Sequence, residues 1–360
     1  MNQSTTINFL KVFATLLVFT QHSTIVTKQE LGFELHGFAQ QLLNTPAQGG
    51  VWMFLIISGF LASWGFAGGG KYKLNVSGCK NYYKNRIVKI LIPTWIFISL
   101  AWLIDNGAHA LKPIEFVQLI TSTYNGIGIG IPGVGATWYI FIVMWLYILT
   151  PLGLKLFNWL EEKFKGKEAR MYMIVIALLF VYGIVYRCGC EALHLSKHNW
   201  RYANILACGD CFFIGVAAFK LQKYVDFSKV GSRKMLYAAY AALITVVLMC
   251  TLKNYSIVLK AFHALISPSL YAVICAAIIV LSNVNKQKGG GKIWNTLAPY
   301  TFAFYLWHSL VMIRICRSMV LDETFGSYSI VAWLGFVITF YLAYLMTNMN
   351  SSIVKALNKK

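Results

Sequence analysis

A window of about 19 residues, the length of helix that crosses the hydrocarbon of a bilayer, finds ten apolar stretches in this 360-residue chain: 7–26, 49–66, 87–104, 137–156, 171–186, 202–219, 235–251, 261–281, 297–316 and 329–346. Backbone donors and acceptors in lipid have no water to bond, so a run of that length satisfies them within itself, as a helix. The expectation is an all-α, polytopic integral membrane protein with about ten transmembrane helices. A composition of 58% hydrophobic and 12% charged residues, with a mean hydropathy of +0.60, agrees.

The formal charge of +20 does not indicate nucleic acid, because the basic residues punctuate apolar runs instead of clustering on a soluble face. It reads better as positive-inside topology. With both termini cytosolic, the inner connections, their flanking span ends and the tail hold 22 of the 32 lysines and arginines. A single transmembrane domain over 1–352, a short basic cytosolic tail over 353–360 and a multi-pass location in the cell membrane follow as expectations. The first stretch is long, contains Lys11 and lacks a small-residue cleavage site, so it is expected to remain as a span. Among eight cysteines, Cys208 and Cys211 form a CxxC inside an apolar run. No second pair accompanies it, so core packing is the better reading and no metal is expected. The longest connection, 105–136, lies on the outer side and carries Gly126, Gly128, Gly130, Gly133 and Gly135 around Pro132. A loop or re-entrant dip is expected there.

Ionisable groups inside spans are costly and tend to face a bundle interior or a watered cavity. Lys11 and His22 are eleven residues apart, which puts them about 20° apart around a helix and roughly 16 Å apart along its axis. They share one stripe, and functional roles for both stand beside headgroup snorkelling for Lys11 and simple helix bonding for His22. Ser58 offers a hydroxyl next to Gly59 in the second stretch, where helix packing is the plainer reading. Arg86 and Lys89 are i, i+3 neighbours at the membrane face, able to hold a phosphorylated ligand or anionic lipid. His308 lies in the same half of the membrane as His22 by the assigned topology, so the two histidines could line one cavity. Asp210, in the middle of the sixth stretch, could orient a histidine or pair with Lys11 or Arg201.

Asn8-Phe-Leu-Lys11 with His22, Phe54-Leu-Ile-Ile-Ser58-Gly59-Phe60-Leu61, and Tyr83-Lys84-Asn85-Arg86-Ile87-Val88-Lys89-Ile90 with Pro93 occur in order along the chain. Thr137-Trp138-Tyr139-Ile140, Cys211-Phe-Phe-Ile-Gly215 and Phe304-Tyr305-Leu-Trp-His308 follow. Together they resemble the membrane acyltransferase type 3 family, ten-span enzymes that acylate glycans and other acceptors outside the cytosol. The first-span cation, usually arginine there, is lysine here. The resemblance implies an O-acyltransferase that uses acyl-CoA, such as acetyl-CoA, as donor substrate and a cell-surface or lipid-linked glycan as acceptor. It further implies donor phosphates near Lys11, Arg86 and Lys89, His22 as general base or transient acyl carrier, and Ser58 and His308 as further catalytic candidates. Trp138, Tyr305 and Asp210 become substrate-binding candidates, with an interfacial anchor as the plainer role for Trp138. The rival class is a transporter or flippase whose path is lined by the same polar residues.

Overall fold

The computed structural model describes residues 3–32, 47–105, 112–120, 131–195, 200–227, 233–284, 291–319 and 325–358. Helices dominate them: α1 (Gln3–Leu31), α2 (Ala47–Gly65), α3 (Val76–Arg86), α4 (Ile92–Ile104), α5 (Pro113–Ile120), α6 (Trp138–Lys163), α7 (Glu168–Ala192), α8 (Ile205–Leu221), α9 (Arg233–Thr251), α10 (Ile257–Ala261), α11 (Ser267–Val284), α12 (Lys292–Leu297), α13 (Thr301–Ser318) and α14 (Phe325–Asn358). No strand occurs among the described residues.

Seven helical segments among the described residues are long and apolar enough to cross a membrane. Each of the ten expected stretches falls on a helix, but three fall short of that length or hydropathy. The apolar part of α2, Gly49–Gly65, is a shorter helix, and α8 has 17 residues. In α13 the residues His308, Arg314 and Arg317 dilute the apolar content.

Two π-helical turns, Ile87–Leu91 and Phe262–Ile266, join α3 to α4 and α10 to α11. Each is followed two residues later by a proline, Pro93 or Pro268. A proline has no N–H to donate and its ring crowds the carbonyl four residues earlier, which a widened turn relieves.

The chain divides into two compact units, Met1–Ala14 with Gln48–Tyr83 and Ile142–Thr296, and Thr15–Ala47 with Lys84–Phe141 and Leu297–Lys360. In the first, α8 is the central helix, buried from Ala207 to Lys220 on nearly every side. Close approach of α2 and α8 is set by two glycines. A Cβ on Gly59 would strike the carbonyl of Phe212, and one on Gly215 the carbonyl of Ile56. Small residues of this kind let helices pack closely where lipid supplies no hydrophobic drive. Pro151 sits inside α6, and nearby the Tyr83 hydroxyl donates to the Ile148 carbonyl (3.0 Å).

In the second unit, α13 packs along α14. Trp307 Nε1 donates to Met346 Sδ at 3.1 Å, and the Phe304 and Phe336 rings lie 5.4 Å apart. Phe19 of α1 meets both rings edge-on, at 5.5 and 5.6 Å. Gly133 has φ +79°, and a Cβ there would come within 2.7 Å of Leu310 N. Only glycine fits, so the end of the glycine-rich connection lies on α13, with Ile131 and Val134 buried. Gly126, Gly128 and Gly130 lie outside the described residues.

Candidate active site

His308 stands on the second turn of α13 with no exposed surface. Its Nδ1 lies 2.6 Å from the carbonyl of Tyr305. A carbonyl only accepts, so Nδ1 carries the proton, and Nε2 of the neutral ring has a lone pair. That lone pair faces His22 Nδ1 at 2.6 Å, with the ring planes within 18° and centroids 4.8 Å apart. His22 Nδ1 therefore donates, which leaves the lone pair of His22 on Nε2. His308 is sealed in, whereas His22 is only half-buried.

The rotation of α1 at His22 is fixed from both sides. Three residues earlier, Phe19 is wedged between Phe304 and Phe336. One residue later, the Ser23 hydroxyl donates to Thr20 O (2.7 Å) and bonds the Tyr328 hydroxyl (3.0 Å). Tyr305 extends the cluster: its hydroxyl donates to Ala136 O at 2.6 Å, and its ring lies 5.6 Å from His308 and 5.7 Å from Tyr139. Trp138, 6.4 Å from Tyr139, is only 9% exposed, not a ring standing free at the membrane surface.

The remaining sequence candidates have other surroundings. Lys11 is half-buried on α1 in the first unit, eleven residues before His22 on the same unbroken helix. Arg86 ends α3, and the exposed Lys89 sits in the π turn of the second unit. Ser58 is half-buried on α2, beside the packing glycine Gly59.

Asp210 departs from its expected partners. Its Oδ2 accepts from Arg187 Nη2 at 2.7 Å and from the Ser269 hydroxyl at 2.6 Å, while Arg201 pairs with Glu191. Arg187 is fully buried and also donates to Leu265 O and Ala207 O, each at 3.1 Å. Arg187 lies one residue beyond the fifth apolar stretch, 171–186. The helix continues to Ala192 and carries it inward. Gly183, one turn before Arg187, is the trace this leaves in the sequence, since a Cβ there would strike Asp210, Ser269 and Arg187. All eight cysteines are free thiols. Cys208 and Cys211 are buried and donate to Tyr202 O (3.1 Å) and Pro268 O (3.4 Å), as core residues do.

A half-buried imidazole with a lone pair on Nε2, oriented by a second imidazole, is suited to take a proton from an attacking hydroxyl. A family model described as an acyltransferase domain matches residues 5–348, a range that contains both histidines. No curated protein and no solved structure matches the chain. The match spans nearly the whole sequence: the chain belongs to the acyltransferase type 3 family and is an acyltransferase of groups other than amino-acyl groups.

Proposed function

We propose that this protein is a multi-pass O-acyltransferase of the cell membrane that moves an acyl group, acetyl being the simplest, from acyl-CoA to a hydroxyl of an extracytoplasmic glycan or lipid-linked sugar. The observation that carries this reading is the His22–His308 bond at 2.6 Å, which with the Tyr305 carbonyl on the far side of His308 fixes His22 in one tautomer.

The step is nucleophilic acyl transfer. His22 Nε2 accepts the proton of the acceptor hydroxyl as its oxygen attacks the thioester carbonyl carbon. The tetrahedral adduct collapses with cleavage of the C–S bond, and the departing thiolate takes the proton back from His22. His308 is a positioning residue: as His22 becomes an imidazolium, the lone pair on His308 Nε2 accepts a charge-assisted bond. Ser58 has no part in this sequence of bonds.

On the donor side, Arg86 presents a guanidinium fork suited to phosphate, and the exposed Lys89 adds a second cation. Lys11 stands on the His22 stripe about 16 Å lower along the helix, a span that a pantetheine arm can bridge. Trp138 and Tyr305 are proposed to bound the acceptor end through the ring series that reaches His308. Asp210, expected to bind substrate, is better read as structural, because its neighbours in the fold are Arg187 and Ser269.

The test is thiol release by the purified protein in nanodiscs supplied with acetyl-CoA and a soluble glycan acceptor. Turnover in the native protein that His22→Ala lowers by about 100-fold to 10,000-fold, at unchanged folding, is the expected result. Acetyl-CoA thioester that stays intact with every hydroxyl acceptor tried would overturn the proposed donor and acceptor.

A further inference from the structure

The first unit contains, within its own residues, a cavity of about 540 Å³ where α2, α6 and α8 end and α7 begins. At its wall Lys220, 7% exposed, bonds Asn158 Oδ1 at 2.5 Å and Glu161 at 3.1 Å. Glu161 is held from the other side by the Tyr172 hydroxyl at 2.8 Å. Ser63 also lines the space. It is 2% exposed, and its Oγ meets no partner among the described residues. A buried hydroxyl left without a partner is costly, and Ser63 stands in the wall of the cavity, close enough to reach an occupant by rotation about its χ1 bond.

The charges around the cavity select the kind of occupant. Three carboxylates, Glu161, Glu162 and Glu168, face three ammonium groups, Lys165, Lys220 and Lys223. A polyanion such as a coenzyme A nucleotide would bring several negative charges against the carboxylates, and a simple cation would meet the lysines. A ligand with one charge of each sign satisfies both sets. The three helix C-termini present carbonyl ends, which favour an ammonium group, while Lys165 and Lys223 are exposed and available to an anion. The cavity also lies at the ends of apolar helices, beside the lysine-rich turn Lys163, Lys165 and Lys167, which is headgroup level.

We infer that this cavity is a binding site for a zwitterion joining a primary ammonium to a phosphate, the chemistry of an ethanolamine phospholipid headgroup or of its soluble glycerophosphodiester. It is independent of the histidine pair and of the donor reading.

The experiment is native mass spectrometry of the full chain, delipidated and then offered equimolar ethanolamine and choline phospholipids of identical acyl chains, with glycerophosphoethanolamine titrated separately. The expected result is one retained ethanolamine lipid per chain, favoured over choline lipid by at least about fivefold, since choline has no N–H to donate. Ser63→Ala and Lys223→Ala should each weaken retention about threefold to tenfold, as one lost hydrogen bond does. Ser63 makes no bond that the fold needs and Lys223 is exposed, so both variants report on the ligand. Equal affinity for the soluble diester assigns the site to the headgroup alone, and retention of the lipid only assigns it to the bilayer. Equal retention of choline lipid, full retention in Ser63→Ala, or displacement by coenzyme A would each overturn the proposal.

Discussion

Arg187 Nη2 stands 2.7 Å from Asp210 Oδ2, and neither side chain has any exposed surface. Charges taken fully out of water repay their desolvation only when pairing and hydrogen bonds are nearly complete. Here the guanidinium reaches two carbonyls, a carboxylate and a hydroxyl on three helices or turns. The pair clasps α7, α8 and the start of α11.

Breaking one side of that clasp should therefore destabilise the protein. Asp210→Ala leaves a buried guanidinium without its counter-ion and is expected to cost about 3–5 kcal/mol, read as a lowered unfolding midpoint in detergent. The double change Arg187→Met with Asp210→Leu should recover most of it. Asp210→Ala protein that melts normally but has a raised acceptor KM would show that Asp210 binds substrate after all.

His22 and His308 should lose activity unequally and not independently. His308→Ala frees His22 to adopt the wrong tautomer, so kcat is expected to fall about tenfold to 100-fold with donor KM unchanged, less than for His22→Ala. His308→Gln, which offers an acceptor oxygen of similar reach, should restore part of the loss. The double alanine variant should be no worse than His22→Ala alone. Losses that multiply in the double variant would mean the two rings act separately.

Donor binding is read from Lys11, Arg86 and Lys89 one at a time. Arg86→Ala should raise the donor KM about tenfold to 100-fold, the value of a charge-assisted bond to phosphate, with the acceptor KM unaffected. Lys11→Arg should be tolerated, since it restores a planar fork. Raised salt should weaken donor binding at the exposed Lys89. Alanine variants that change only protein level or orientation, with donor affinity intact, would assign these cations to the lipid surface.

Orientation is checked with thiol reagents that do not cross the membrane. Cys79, half-buried near the start of α3, is expected to react only from the cytosolic side, and the exposed Cys188 only from outside. Cys190, two residues on, differs from Cys188. It is buried, with its thiol directed at Trp200 O, and should be silent in the folded protein. Labelling of Cys79 in intact cells would reverse the topology.

The sequence by itself determined what depends on near neighbours along the chain. Apolar runs of bilayer length dictate helices because lipid leaves the backbone no other partner. An eleven-residue spacing puts Lys11 and His22 on one stripe because the helical period allows nothing else. Pro93 and Pro268 widen the turns before them for equally local reasons. The order of short motifs was enough to suggest the family that the match over residues 5–348 then established.

What only the tertiary structure decided is which distant side chains become partners. His22 and His308 are 286 residues apart, and their common half of the membrane did not reveal a bond or fix a tautomer. Asp210 had several cations within conceivable reach. Arg187 prevailed because α7 runs past its apolar stretch and Gly183 makes room for the contact. Trp138 looked like a surface anchor until the turn at Gly133 folded its neighbours onto α13. Periodicity fixes the direction of a side chain about its own helix axis. The choice of facing helix rests on packing among segments remote in sequence, where one missing Cβ determines how closely two backbones approach.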